Sequence, residues 1–554
     1  MSVPTAVSRP PLAAIALVVA GFVAVFSAWS LPANLKSVSP ALLRAAGAGT
    51  PTLGAFGRDL VDLEKIGPAA LVLTAARVTD DPRAPALAAA IEAFASRQPS
   101  LVAWGGWDPF LDPLFNLRAD SGRRASTPVL TFFNSEKSRA ALRASLANTG
   151  SLGVQSLLLL RELTATGRFV PASRPGGQPL DALVLLTALL YQGERLAPPL
   201  QRELRTLVDT ALENKDLGEL EPFFLDLLSL SRRLDWTQLS ELLRRTASTK
   251  TVGQFAQLAR VTSDQLPLIY AAALFSDSAD RVADYLIQYG RNGLEDVRLA
   301  LGYGQGAVKQ LLEQQLPVNR SAGRALDTIS RLTLLHPQLA LLLKYLGYVF
   351  GAFLVLRGLD RALLLPGELV RPAALLPHMR SGVLAVLFAG LLVVGTEPFL
   401  LNAAPPSEYT LHLRLPVLVA TSEISPPATV QPTATMDTST LLSIGLFASL
   451  QVAMYLICLM KIREVARQPV PPLVKLRLME NEENLFDGGL YVGIAGTATA
   501  LVLQVMHVIQ PNLLAAYASN LFGIICVALV KIRHVRACKR ELILEAQAES
   551  RLTS

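Results

Sequence analysis

Histidine and cysteine are scarce in this chain, and neither occurs anywhere in residues 31–335. The three cysteines are Cys458, Cys526 and Cys538, and the first of the five histidines is His336. Residues 31–335 therefore cannot form a Cys/His zinc site, a Ser-His-Asp triad or a Cys-His pair. They also cannot be stabilised by a disulfide. We predict no catalytic residue, no metal site and no cofactor, and we do not expect an enzyme.

Charged residues are scarce in six apolar stretches, each close to the roughly 20 residues that cross a membrane as a helix. Hydrophobic residues make up 51% of the chain and charged residues only 17%. The sequence therefore predicts six spans: Leu12–Ser30, Gln338–Leu356, Gly382–Leu401, Thr440–Met460, Gly489–Ile509 and Asn512–Val530. A cleaved signal peptide is the alternative for the first of them.

The basic residues that flank these spans alternate between the two sides of the membrane. Arginines and lysines follow the second, fourth and sixth spans, whereas the loop after the third span holds only Arg414. The positive-inside tendency then places both termini in the cytoplasm and residues 31–337 outside. We expect a multi-pass protein of the inner (cell) membrane. Its formal charge of +7 is explained by these flanking loops, so no nucleic-acid partner is expected.

The predicted fold class is mainly α, with a large helical exported domain inserted between the first and second spans and with minor β structure allowed. The segments are an N-terminal transmembrane anchor or signal peptide (1–30), the exported helical domain (31–337), a transmembrane hairpin with a cytoplasmic loop (338–401), an outer strand and Pro/Thr linker (402–439), a three-span membrane domain (440–530) and a basic cytoplasmic tail (531–554).

Within the exported domain, apolar residues recur at helical spacing from Ala84 to Leu335, which indicates either a helical bundle or stacked helix pairs. Residues 69–74 and 128–133 are predicted as strands. Residues 277–280 and 292–296 are predicted as turns that lead into helix caps.

Four further features are given a structural interpretation in preference to a functional one. The loop Trp104–Phe110 is predicted to be a buried anchor, or an edge that rests on the membrane surface, rather than a ligand platform. Lys344 is expected to snorkel to the headgroups from the outer end of its span, and Glu397 is expected at the interface. The acidic residues from Glu480 to Asp487 are predicted to be a solvated helix start, with docking of a basic partner as the alternative.

The last two spans contain small and polar residues at helical spacing. Glycines at this spacing permit close helix packing in lipid, and the packing candidates are Gly489, Gly493, Gly496 and Gly523. Polar groups inside a span need a partner or water, and the pore-lining candidates are Thr497, Thr499, Ser519 and Asn520. A packing contact and a pore both remain open.

Residues 491–497 (Tyr-Val-Gly-Ile-Ala-Gly-Thr) resemble the Gly-Leu-Leu-Gly-Thr segment of the MotA/TolQ/ExbB proton-channel family. Residues 518–524 resemble the Thr-Thr-x-x-Gly-Leu segment of that family's next span, and the similarity extends over residues 440–545. The resemblance implies a stator-type subunit in which Thr497 and Asn520 occupy the positions of the two pore threonines, with Ser519 beside them.

The same resemblance implies a pentameric homo-oligomer around a single-span partner that carries a membrane aspartate. Ala515 stands where some members have an acid, so the acid would come from the partner. The alternative is a membrane-anchored scaffold whose exported helical domain binds an envelope partner, with no transport activity.

Overall fold

The computed structural model describes residues 12–119, 122, 125–163, 167–320, 327–363, 376–397, 399, 438–505 and 513–553. Within these ranges the chain is mainly helical, and the only β structure is isolated bridges. The mainly α prediction is therefore confirmed. The predicted outer strand and linker, residues 402–439, lie outside the described residues except for the first residues of a helix at their end.

The α-helices of the described residues are numbered in chain order. The first thirteen are α1 (Leu12–Trp29), α2 (Pro40–Gly47), α3 (Leu53–Asp62), α4 (Ile66–Val78), α5 (Ala84–Arg97), α6 (Pro99–Val102), α7 (Asp112–Phe115), α8 (Glu136–Ala147), α9 (Leu152–Leu159), α10 (Gln178–Gln192), α11 (Pro198–Asn214), α12 (Leu220–Ser231) and α13 (Trp236–Leu243).

The second thirteen are α14 (Thr249–Val261), α15 (Leu266–Ser276), α16 (Ala279–Tyr303), α17 (Gln305–Gln314), α18 (Asp327–Leu335), α19 (Pro337–Leu363), α20 (Leu376–Thr396), α21 (Thr438–Arg467), α22 (Pro472–Asn481), α23 (Glu483–Phe486), α24 (Gly488–Val505), α25 (Leu513–Ala528) and α26 (Arg536–Thr553). Short 3₁₀ turns occur at Val129–Phe133, Leu160–Glu162 and Ser263–Gln265, and Leu529–Val535 is a π-helical segment.

The chain divides into two compact units. The first, residues 42–318, contains helices α3 to α17, and the second contains α1 and α18 to α26. We refer to them as the inserted unit and the apolar-helix unit.

Side-chain caps explain where several helices of the inserted unit begin. Thr52, Ser135, Asp235 and Ser248 each accept a hydrogen bond from a backbone amide three residues later. Such a bond satisfies an amide that has no partner within the helix. The caps are local signals, so the sequence alone could locate these helix starts.

One of the two predicted junctions of α16 is confirmed and the other is wrong. Asp277 adopts a left-handed conformation, and the Ser278 hydroxyl accepts a hydrogen bond from the amide of Arg281. Residues 292–296 lie inside α16, and the break falls at Gly290 instead, with φ 56° and ψ −133°. Glycine adopts this conformation because it has no Cβ.

The two predicted strands of the inserted unit are wrong. Residues 69–74 belong to α4, where Ala69, Val72 and Ala75 recur every third residue and are fully buried. Residues 129–133 form a 3₁₀ turn. A short apolar run does not distinguish a buried strand from a buried helix, and for α4 the packing against α3 and α15 favours the helix.

In the apolar-helix unit, α1 packs along α19, and α19 packs against α20. A Cβ on Gly21 would lie 2.7 Å from the carbonyl oxygen of Gly351, and a Cβ on Gly351 would lie 2.8 Å from that of Gly21. The two backbones therefore approach closely only because both residues are glycine. Further along, α21, α24 and α25 pack together.

Among the described residues, two helical segments are long and apolar enough to cross a membrane: Leu12–Trp29, with 18 residues, and Pro337–Arg361, with 25 residues. The described residues of the other four predicted spans lie mainly in α20, α21, α24 and α25. These four are helices, but the six-span arrangement stays a prediction.

Candidate functional site

The four glycines singled out in the last two spans lie at the contact between α24 and α25. A Cβ on Gly493 would lie 3.0 Å from the carbonyl oxygen of Ser519, and one on Gly523 would lie 2.6 Å from that of Gly489. A Cβ on Gly496 would collide with the Ser519 hydroxyl. The close approach of the two helices depends on small residues at these positions, above all at Gly523, where the nearest atom is a backbone oxygen.

Hydroxyl and amide groups bond to backbone carbonyls of α24 at this contact. Thr497 Oγ1 donates to the carbonyl oxygen of Gly493 at 2.9 Å, and Ser519 Oγ donates to the same oxygen at 3.3 Å. From α21, Gln451 Nε2 donates to the carbonyl oxygen of Gly489 at 3.0 Å. The Thr497 bond lies within α24, whereas the Ser519 hydroxyl joins α25 to α24 and the Gln451 amide nitrogen joins α21 to α24.

Two amide oxygens at the same contact have no donor. Gln451 Oε1 and Asn520 Oδ1 are buried, and neither has a hydrogen-bond partner in the described part of the chain. Leaving a buried acceptor unpaired costs about 1–3 kcal/mol, so a donor from another molecule would stabilise this contact. The side chain of Thr499, the remaining pore-lining candidate, lies outside the described residues.

Gln451 was not among the residues predicted from the sequence, although it carries the only side-chain amide between Thr440 and Met460. An amide in an apolar helix is a usable signal, because it tends to hydrogen-bond across helices. The sequence could not show that its partner is the backbone of Gly489.

A second cluster of polar groups surrounds Lys344 on α19. The Lys344 side chain is 2% exposed, and its Nζ donates to the carbonyl oxygen of Ala33 at 2.7 Å and to Asn34 Oδ1 at 2.6 Å. The expectation that Lys344 snorkels to the headgroups is therefore wrong. The chain that follows α1 supplies acceptors within reach of the ammonium group.

Glu397, which follows α20, completes this cluster. It is 1% exposed, and Tyr345 donates to its Oε1 at 2.6 Å while the Leu35 amide donates to its Oε2 at 2.9 Å. Lys344 Nζ lies 3.7 Å from Oε1. Glu397 is thus an enclosed ion-pair partner rather than a residue with a freely solvated interfacial side chain. We call Lys344, Glu397, Tyr345 and Asn34 the buried clasp.

The acidic residues before α24 bind lysines at the ends of neighbouring helices. Asp487 Oδ1 lies 2.8 Å and Glu483 Oε1 lies 3.6 Å from Lys531 Nζ. Glu482 lies 3.3 Å from Lys461, at the end of the apolar part of α21. These carboxylates are partly exposed and lie at the starts of α23 and α24, which agrees with the predicted solvated helix start, and they also pair with lysines of two other helical segments.

The inserted unit has its own buried polar centre at Asp235, the cap of α13. Asp235 is 1% exposed, accepts from the amide of Gln238 at 2.8 Å, and accepts from the Ser126 hydroxyl at 2.7 Å. Burial raises the pKa of the Asp235 carboxyl to about 7. Gly67 and Gly105 adjoin this carboxylate so closely that a Cβ on either would collide with it.

The loop that contains Trp104 is fixed on α13 next to this centre. Trp236 Nε1 donates to Asp108 Oδ2 at 2.8 Å, and the Thr237 hydroxyl donates to the carbonyl oxygen of Trp104 at 2.8 Å. The ring of Trp104 stacks on Phe132 with centroids 3.7 Å apart. The loop is a buried anchor, as predicted.

No protein-family model, no curated protein and no solved structure matches this chain. Among the described residues, no group of three or more His, Cys, Asp or Glu side chains is placed to hold a metal ion.

Proposed function

We propose that this chain is a multi-pass membrane protein with six spans and cytoplasmic termini that holds its helical domain, residues 31–337, outside the cell membrane. The length and apolar character of α1 and α19 support the first two spans. The remaining four spans are supported by the apolar helices α20, α21, α24 and α25 and by the basic residues that flank them.

Within this frame we propose a scaffold role, in which the apolar-helix unit anchors a helical domain that binds an envelope partner. The observation that carries this proposal is that polar side chains of the apolar-helix unit bond to neighbouring segments of the same unit. The Ser519 hydroxyl of α25 bonds to the carbonyl of Gly493 in α24, the Gln451 amide of α21 bonds to the carbonyl of Gly489, and Lys344 and Glu397 pair within the buried clasp. Side chains bonded to neighbouring helices in this way fix a packed anchor.

A stator-type channel subunit is the second candidate, and a different observation favours it. Gln451 Oε1 and Asn520 Oδ1 are buried acceptors that receive no hydrogen bond from the described residues, at the contact where the family resemblance places its pore threonines. The protonated carboxyl of a partner's membrane aspartate has the donor that they lack. Five copies around such a partner would then supply a proton path.

Oligomeric mass separates the two candidates. We expect the full chain, released from nanodiscs and measured by native mass spectrometry, to be a monomer or dimer under the scaffold proposal. A pentamer would contradict the scaffold as the complete function and would favour the stator-type subunit.

Proton flux into liposomes that contain the chain together with the proteins that co-purify with it gives an independent test with a matched control, because the channel candidate needs the partner's aspartate. Thr497→Val removes a hydroxyl that the channel candidate needs, and Thr396→Val removes a hydroxyl of α20 that bonds within its own helix. The scaffold predicts no proton flux above that of empty liposomes for either variant or for the natural chain. Flux that Thr497→Val abolishes and Thr396→Val retains would overturn the scaffold.

A further inference from the structure

A cavity of about 660 Å³ lies along the C-terminal helix α26, facing α22 and α23. This volume is within the range of pockets that hold small molecules. Its basic lining residues are Lys531, Arg536, Lys539 and Arg540. We call this cavity the tail cleft.

The positive charge of the tail cleft is only partly neutralised. Lys531 pairs with Glu483, the one carboxylate in the lining, and with Asp487. Among the described residues, no carboxylate pairs with Arg536, Lys539 or Arg540. These three side chains therefore leave the cleft attractive to an anion.

Apolar side chains share the cleft with the arginines. Met479 and Phe486 form a buried wall, whereas Ile543 and Leu544 of α26 are 45% and 57% exposed. Exposed apolar side chains beside a basic cluster are typical of segments that contact a membrane interface. The combination suits an amphiphile whose anionic group meets the arginines and whose hydrocarbon part covers Ile543 and Leu544.

The backbone next to the cleft is also unusual. The π-helical segment Leu529–Val535 connects α25 to α26 and contains Lys531 and Val535, two of the lining residues. Such segments are rare and occur frequently at functional sites. Because the sixth predicted span ends at Val530, the cleft begins where the helix would leave the hydrocarbon core.

We propose that the tail cleft binds the phosphate headgroup of an anionic phospholipid from the inner leaflet, with Arg536, Lys539 and Arg540 around the phosphate. This proposal rests on the topology proposed above, which places α26 on the cytoplasmic side. Clusters of basic side chains at this level attract anionic lipids, and arginine holds phosphate through two parallel hydrogen bonds.

The test uses the full chain in nanodiscs that contain phosphatidylcholine with or without phosphatidylglycerol, followed by native mass spectrometry of the lipids that remain bound. Arg536→Gln/Arg540→Gln removes two charges from the cleft. Arg463→Gln/Arg467→Gln removes two charges from exposed positions of α21 outside it. We expect phosphatidylglycerol to be retained by the natural chain and by the α21 variant, and retention to fall roughly tenfold or more in the cleft variant.

Equal retention of phosphatidylglycerol by the Arg536→Gln/Arg540→Gln variant and the Arg463→Gln/Arg467→Gln variant would overturn the proposal. So would loss of bound phosphatidylglycerol on addition of millimolar inorganic phosphate, because the site would then take free phosphate. Arg536→Lys/Arg540→Lys keeps both charges and is expected to restore most of the retention, which a folding defect would not do. Lipid binding at the cleft together with an outward-facing tail would contradict the topology but leave the lipid site intact.

Discussion

Asp235 has an unusual environment for a carboxylate, since its described partners are uncharged amide and hydroxyl donors. The pKa of an ordinary aspartate is close to 3.8, and burial raises that of Asp235 to about 7. The folded state therefore binds a proton that the unfolded state releases. The stability gained from this protonation is fully present below about pH 3.8 and is lost as the pH rises towards 7.

We expect Asp235→Asn to remove this contribution to the pH dependence. Asparagine still caps the helix but does not titrate. The melting temperature of the variant relative to the natural chain should therefore rise from pH 4.5 to pH 7.5, because the difference in their free energies of unfolding shifts in favour of the variant by an amount on the order of a few kcal/mol. Thermal melting of both proteins at the two pH values checks this, and a difference independent of pH would contradict it.

Gly105 gives the second prediction at the residue scale. Gly105→Ala adds a Cβ that collides with the Asp235 carboxylate, at a backbone φ of +80°. Gly49 has a similar φ of +77°, but a Cβ there meets no atom within 4 Å. We expect Gly49→Ala to destabilise by about 1–2 kcal/mol from backbone strain alone, and Gly105→Ala by roughly a further 1–3 kcal/mol.

Denaturation of the two glycine variants side by side measures the steric contribution. Equal losses for Gly105→Ala and Gly49→Ala would show that the carboxylate moves aside without difficulty, which would contradict a tightly packed centre.

Among the helices, the buried clasp connects α19 to the chain that follows α1 and to the end of α20. Breaking a buried ion pair by removing one partner destabilises by about 3–5 kcal/mol, because the other charge stays buried. We expect Lys344→Met to lower the melting temperature of the full chain in detergent strongly. The double variant Lys344→Met/Glu397→Gln should recover most of the loss.

The control for this prediction is an exposed ion pair. Arg58 and Asp62 lie 3.8 Å apart, and more than half of each side chain is exposed. Arg58→Met is expected to change stability by less than about 1 kcal/mol. A Lys344→Met variant as stable as Arg58→Met would show that the clasp contributes nothing to the packing of these helices.

For the whole molecule, the proposed topology predicts which surfaces a membrane-impermeant maleimide reaches. Cys458 and Cys526 are buried, so Cys538→Ala gives a background with no exposed thiol. In that background we expect the maleimide to label Glu213→Cys in intact cells, where only the outward-facing side of the cell membrane is accessible. Glu545→Cys should be labelled only after the cells are lysed. Labelling of Glu545→Cys before lysis would overturn the topology.

Much of the helical architecture could be predicted because its signals are local. The turn and helix cap at residues 277–280 could be predicted from neighbouring residues, and the structure places the cap at Ser278. The glycines of α24 and α25 were singled out from their spacing alone, and the structure places them at one contact. Residues 69–74 could not be assigned correctly, because their burial depends on α3 and α15 rather than on their own sequence.

The sequence by itself determined the mainly helical class and the apolar helices, since composition and periodicity are properties of contiguous residues. Only the tertiary structure decided the partners. Lys344 meets Asn34 across 310 positions, and Ser126 meets Asp235 across 109. No local pattern specifies such pairs, because the burial that makes a polar group require a partner arises only when distant helices pack together.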